Sequence, residues 1–160
     1  MDITSLDHSS FRIKGKLATV LIEQKQLRIE DRAGASPYEI HGPGEYEVKG
    51  VGVIGCSVPG ATIYRIEIDG VSVLYLGGLV QPLTSTQVDA LDGVDILIVP
   101  VGVLAVIKEI EPSIVIPTQY DPQGLSAFLK ELGKDDTAPQ PKLSVTRDKL
   151  PDQMQVVVLE

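Results

Sequence analysis

Residues 62–76 constrain the fold more than any other part of this chain. Ile63, Arg65 and Glu67 alternate with Thr62, Tyr64, Ile66 and Ile68, the period-two pattern of a strand with two unlike faces. Asp69-Gly70 follows, and then a second β-prone run over residues 71–76. An Asp-Gly pair supplies the positive φ angles of a type I′ turn, so the segment reads as an antiparallel hairpin.

The rest of the first half continues in the same manner. Residues 3–6, 10–14 and 17–22 are short β-prone runs, with Gly15-Lys16 as a hairpin turn between the last two. Residues 26–30 read as a strand and 31–36 as a loop. Residues 38–40, 45–48 and 51–57 continue the pattern, punctuated by Gly42-Pro43-Gly44 and Pro59-Gly60. Helices come late. Residues 84–91 open on Ser/Thr caps and carry Val88 and Leu91 three apart. Residues 104–110 form a short helix stopped by Pro112. Residues 124–132 are amphipathic, with Leu125, Phe128, Leu129 and Leu132 at helical spacing and Gly133 at the end. Buried strands are expected at 96–99 and 113–116, a polar loop at 134–141, and two closing strands at 142–145 and 155–159. No internal repeat and no linker interrupts residues 1–160, which read as a single domain. Many strands, then helices alternating with strands, imply two facing sheets with helices outside.

Bulk chemistry excludes several classes of function. The net charge is −8, the wrong sign for nucleic acid or an anionic membrane surface. The longest apolar run, residues 96–107, is broken by Pro100 and Gly102 and falls short of the ~20 residues a bilayer span requires. The start M-D-I-T-S lacks the basic and apolar regions of a signal peptide. Cys56 is the single cysteine, so no intrachain disulfide forms. A cytoplasmic protein is the simplest expectation.

Few residues offer chemistry. The only histidines are His8 and His41. His8, between Asp7 and Ser9-Ser10, reads as a pocket acid/base or as a hydrogen-bonded histidine that ties a turn. No motif places a second catalytic group beside it, which favours the structural role. His41, next to Gly-Pro-Gly, reads as a solvent-facing turn residue. Residues 50–55 spell G-x-G-x-x-G, but C-S-V-P-G follows with no room for the helix that a dinucleotide loop opens, so a Gly-rich strand is expected. Cys56 reads as a buried, inert thiol. Asp89, Asp92, Asp95, Glu109 and Glu111 read as solvated carboxylates on helix faces and loops. Thr118, Gln119, Tyr120 and Asp121 follow a buried strand at its carboxyl end, the best place here for a small-molecule ligand.

Four segments in order carry a resemblance: D-H-S-S-F at 7–11, G-P-G-E-Y-E-V-K-G-V at 42–51, the run 75–102, which opens Y-L-G-G-L-V and closes D-G-V-D-I-L-I-V-P-V-G, and I-V-I-P-T-Q-Y at 114–120. Together they resemble the metallo-β-lactamase superfamily, in particular its small bacterial metal-dependent hydrolases of the ascorbate-lactonase type. The resemblance implies an α+β fold, the four-layer αββα sandwich, and a dinuclear zinc hydrolase. The corresponding family motifs read G-H-S, L-G-D and P-x-H-Y. Gly78 stands in place of the Asp that bridges two metals, and Gln119 in place of the late His. The H-x-H-x-D-H zinc motif is absent. Two apparent gaps, between Ile22 and Tyr38 and after Gly102, fall beside the family's active site.

Several histidines and a bridging carboxylate are needed to hold two zinc ions and acidify a bound water. Two histidines cannot supply them. The expectation is a metal-free, non-catalytic chain of this fold that acts in ligand binding or assembly, with no cofactor and a vestigial pocket at Asp7, His8, Ser9, Gly78, Gln119 and Tyr120. The alternative is a hydrolase of a small ester, lactone or phosphoester with a relocated or simplified site, holding zinc through His8, Asp7 and Gln119 or working without it. A third outcome is a folded remnant of a decaying gene. Missing segments beside Leu79, Val80 and residues 101–104 would uncover apolar surface, so a homo-oligomer, most simply a dimer, is expected there unless the loops collapse inward.

Overall fold

The structure, a computed structural model, describes residues 1–23, 26–33 and 36–160. One antiparallel sheet is built from β1 (Asp2–Ser5), β2 (Phe11–Lys14), β3 (Ala18–Glu23), β4 (Gln26–Asp31) and β5 (Tyr38–Ile40), with β12 (Leu143–Ser144) added beside β1. A second sheet contains β6 (Gly44–Val48), β7 (Val51–Val58), β8 (Ala61–Ile68), β9 (Val71–Tyr75), β10 (Ile96–Pro100), β11 (Ile114–Thr118) and β13 (Gln155–Val156), in the order β13-β11-β10-β9-β8-β7-β6. Strands β6 to β9 pair antiparallel, while β9, β10, β11 and β13 run parallel. Three α-helices are described: α1 (Ser85–Ala90), α2 (Ala105–Ile110) and α3 (Pro122–Glu131).

Strand alternation sorts the apolar residues into two cores. Ile13, Ile29, Ile66, Val73, Ile98 and Ile116 meet between the sheets. Ile63, Leu74, Leu97 and Val115 point the other way, onto Val106, Ile107, Phe128 and Leu129 of the helices. This explains why β10 and β11 read as unbroken apolar runs: both faces are buried. The arrangement is the α+β sandwich expected. Among the described residues, its α-helices all contribute to the core on the outer side of the second sheet.

The hairpin of residues 62–76 forms as its sequence dictates. Ile68 pairs with Val71, and Asp69 and Gly70 both adopt positive φ, at 54° and 75°. The turn expected at Gly15-Lys16 is longer than expected. Lys14 pairs with Thr19, so four residues (15–18) make the connection. Gly15 is not left-handed; a Cβ there would stand 2.6 Å from Ile68 Cδ1. The glycine permits close approach of the two sheets and does not shape the turn.

Local caps fix α1 and α3. Thr84 and Gln87 form a reciprocal capping box on α1, and Asp121 accepts from the Gly124 amide ahead of Pro122 in α3. Gly133, at φ 66°, ends α3. Strand β4 runs to Asp31, one residue beyond the expected end, and residues 34–35 of the loop expected at 31–36 lie outside the described residues. The Gly-rich letters at 50–55 enter β7 without a helix. Gly55 is required because a Cβ there would meet the Gly42 carbonyl at 2.9 Å. No helix among the described residues is long and apolar enough to cross a membrane.

Candidate functional site

Three segments meet at the end of the sandwich where β9, β10 and β11 finish. The Gln119 amide N–H donates to the His8 carbonyl at 3.0 Å, and the Thr118 hydroxyl donates to the same oxygen. The Gln119 side chain reaches the other way, its Nε2 donating to the Gly77 carbonyl at 2.8 Å. The buried Tyr75 hydroxyl donates to the Ser9 carbonyl at 2.7 Å. His8, the Gly77-Gly78 turn and Gln119, far apart in the chain, are thus brought together. Gln119 accepts a left-handed backbone, φ 54°, to make both contacts.

The turn between β1 and β2 is organised by Asp7. Its Oδ1 accepts from the Ser9 amide at 2.7 Å and the Ser9 hydroxyl at 3.1 Å, and its Oδ2 accepts from the Ser10 hydroxyl at 2.9 Å. The Ser9 amide first, then the Ser10 hydroxyl, hold the Asp7 carboxyl below the usual carboxylate range. Burial, followed by the charge of Asp7, pushes the Tyr75 phenol up to about 12. Both groups therefore keep their ordinary forms at neutral pH, an anion and a neutral donor.

This turn and the end of β11 enclose a cleft of about 300 Å³. Phe11, Pro117 and Leu159 give it buried apolar surface, and Asp7, His8, Tyr120 and Glu160 supply its more exposed groups. The His8 and Tyr120 rings meet edge-on, centroids 5.9 Å apart at 73°. The Tyr120 hydroxyl donates to the Leu159 carbonyl at 3.3 Å, and burial raises its phenol pKa. Ser9, Gly78 and Gln119 do not line the cleft; Ser9 and Gln119 anchor its walls through the bonds above. The expectation that the His8 side chain ties the turn is corrected. The tie is made by its backbone carbonyl, and the imidazole is exposed, without a hydrogen bond among the described residues.

Other sequence candidates settle individually. His41 is exposed beside Glu39, as a turn residue should be. Cys56 is half-buried against the helix-side core, less enclosed than expected. Asp89, Asp92, Glu109 and Glu111 are exposed. Asp95 is a correction. It takes two hydrogen bonds from the Arg147 guanidinium, at 2.7 and 2.6 Å, and one from the Ser72 amide at 2.8 Å, with only 13% of its side chain exposed. Its partner lies fifty-two residues away, so no local pattern could reveal the pair. Leu79, Val99 and Val103 are buried in the chain's own core, whereas Val80 is 83% exposed.

Sequence reasoning missed Phe11, Tyr75, Leu159 and Glu160. They come from β2, β9 and the closing segment, and only sheet pairing unites them. Their apolar or terminal contexts carried no signal.

The residues present do not fit a dinuclear zinc centre. Gly78 has no donor, and a Cβ built on it meets nothing within 4 Å. Gln119 holds an amide, with its nitrogen engaged by Gly77. Among the described residues, no group of three or more His, Cys, Asp or Glu could hold a metal ion. Zinc sites need three or four such ligands.

Residues 25–119 match the model of the beta-lactamase superfamily domain. A crystal structure from Thermotoga maritima, of a candidate Zn-dependent hydrolase of the metallo-beta-lactamase superfamily, superposes with a TM-score of 0.78 at 22% identity, covering 100% of this chain and 99% of that one. No curated protein matches. The family model spans more than half of the residues, and the two-sheet architecture agrees with it: the chain belongs to the metallo-β-lactamase superfamily.

Proposed function

We propose that this chain is a metal-free, non-catalytic member of its superfamily that works by binding a small molecule, by assembly, or by both. The observation that carries the reading is the donor set at the convergent end. Gly78 offers no ligand, and Gln119 uses its side-chain N–H to clamp the Gly77 carbonyl. A hydrolase of this type needs a metal to lower the pKa of its attacking water, and the Tyr75, Thr118 and Gln119 side chains that meet here instead donate to backbone carbonyls. What is retained is a shaped cleft of about 300 Å³ with an apolar interior and charged groups at Asp7 and Glu160. A cytoplasmic location accords with the single cysteine. A homodimer would use the exposed Val80 or the half-buried Val101 and Leu104; light scattering at micromolar concentration reads its mass.

The second reading, a hydrolase of a small ester, lactone or phosphoester with a simplified zinc site, draws support from one feature: the His8 imidazole is exposed in the cleft beside Tyr120. Metal analysis separates the two. Protein purified in zinc-supplemented buffer and dialysed should hold well under one zinc per chain and turn over none of these substrates. Stoichiometric zinc that His8→Ala removes would overturn the metal-free reading in favour of the second.

A further inference from the structure

We propose that the cleft between the β1–β2 turn and the end of β11 binds a small organic cation, an ammonium or quaternary ammonium head carried on an apolar body. The proposal rests on the reading of this end as a binding site and adds the class of ligand.

The sign of the charge is decided by the lining. Asp7 and Glu160 both border the cleft, and none of the described lining residues is Lys or Arg. An anion would meet two like charges with no compensating cation, while a cation meets complementary charge. Asp7 stays ionised, because the bonds from Ser9 and Ser10 stabilise its charged form. Those bonds also hold the carboxylate in place, so the charge is preorganised.

The walls favour an organic over an inorganic cation. The lining carboxylates and His8 belong to no metal-binding group among the described residues. Phe11 and Leu159, 2% and 5% exposed, present carbon surface. The His8 and Tyr120 rings stand at 73° to each other and form a corner, not a stack. A cation seated against an aromatic face is attracted by the ring's negative face, and a methylated ammonium, weakly hydrated, also gains from apolar contact. The volume, about 300 Å³, lies at the small end of the range for small-molecule sites.

Choline and its uncharged isostere 3,3-dimethyl-1-butanol test the idea on the full chain, by NMR shift titration in the millimolar range. Choline should bind about tenfold or more tightly than the isostere, with shifts at His8 and Tyr120. Glu160→Gln, at an exposed position, and Tyr120→Ala should each weaken choline by about 3- to 10-fold, and Tyr120→Phe should keep most of the affinity because the ring remains. Equal binding of both probes, lost in Tyr120→Ala, would overturn the cationic class while leaving a binding cleft. Absence of choline binding, or binding untouched by Glu160→Gln and Tyr120→Ala, would overturn the inference altogether. The metal-free reading stands or falls separately, on zinc content.

Discussion

At the end of the sandwich where β9, β10 and β11 begin, ion pairs and carboxylates tie distant segments together; at the end where they finish, neutral side chains do, and the one carboxylate that holds a turn there, Asp7, bonds only within its own turn. Asp95 joins Arg147 to the Ser72 amide. Asp69 accepts from the Lys16 amide and stands 3.7 Å from the Met1 amino group, and Lys49 pairs with Asp31 at 3.1 Å. At the other end Tyr75, Thr118 and Gln119 each donate to a backbone carbonyl. A catalytic metal end needs lone pairs that point into an open space. Here the Tyr75, Thr118 and Gln119 side chains point their N–H and O–H groups at the chain itself. The difference teaches that this end is built as a joint between the sheets, and that its bonds to backbone carbonyls give the cleft firm walls.

The largest effect should come from the charged end. Asp95→Ala leaves the Ser72 amide, in a residue 4% exposed, without its acceptor and frees Arg147. The expected cost is about 2–3 kcal/mol, because a buried donor loses its partner. Arg147→Ala removes only the more exposed side of the pair and should cost about 0.5–1 kcal/mol. In thermal unfolding the first corresponds to a shift of about 5–10 °C for a domain of this size. Equal shifts for the two variants would show that Asp95 acts through its ion pair alone.

Next comes the joint. Tyr75→Phe removes the bond to the Ser9 carbonyl and should cost about 1 kcal/mol at neutral pH. It should also change the alkaline limb. The phenol loses its proton near 10 in the unfolded chain and at about 12 in the folded one. Between those values the folded state binds the extra proton, so stability is complete below pH 10 and falls as pH rises toward 12, by about 2–3 kcal/mol in all. Denaturation midpoints from pH 9 to 12 should therefore fall less steeply in Tyr75→Phe than in the parent. Parallel curves would mean that Tyr75 is not the buried donor described.

The fold was legible wherever one residue face had to be buried. Residues 62–68 could alternate only as a strand over a core, and Asp69-Gly70 could close only one kind of hairpin. Thr84 and Gly133 marked helix ends because capping is local chemistry. Gly15, Gly55 and Asp95 were misjudged or unexplained because their reasons are distant: Ile68, Gly42 and Arg147. At the site, sequence motifs located the meeting of His8, Gly78 and Gln119. They could not show that His8 contributes its carbonyl, since a backbone oxygen leaves no mark on residue identity. The floor of the cleft, from Phe11 and Leu159, was hidden for the same reason as Asp95.

A smaller effect isolates the Gln119 clamp from its backbone strain. Gln119→Ala loses the Gly77 bond but keeps φ 54°, at an expected cost of about 1 kcal/mol. Gln119→Gly loses the same bond and relieves a left-handed conformation that costs an ordinary residue about 1 kcal/mol, so it should sit near the parent. Urea midpoints order the three proteins. A glycine variant as weak as the alanine one would show that the left-handed turn stores no strain.

The smallest effect, and the sharpest for function, belongs to Gly78→Asp. The position is exposed, its φ lies outside the left-handed region, and a Cβ there meets nothing within 4 Å. An aspartate should therefore be accommodated with a stability change within about 0.5 kcal/mol. Space is not what keeps a carboxylate away from position 78. Zinc uptake should nevertheless stay far below one ion per chain, because one carboxylate without imidazoles beside it does not make a zinc site. Gln119 is still held by Gly77, and His8 is the sole histidine at the cleft. Metal analysis of the dialysed variant beside the parent gives the answer. If Gly78→Asp alone brings zinc to stoichiometry, the two ends differ by a single ligand and not by how their polar groups are committed, and the comparison drawn between them collapses.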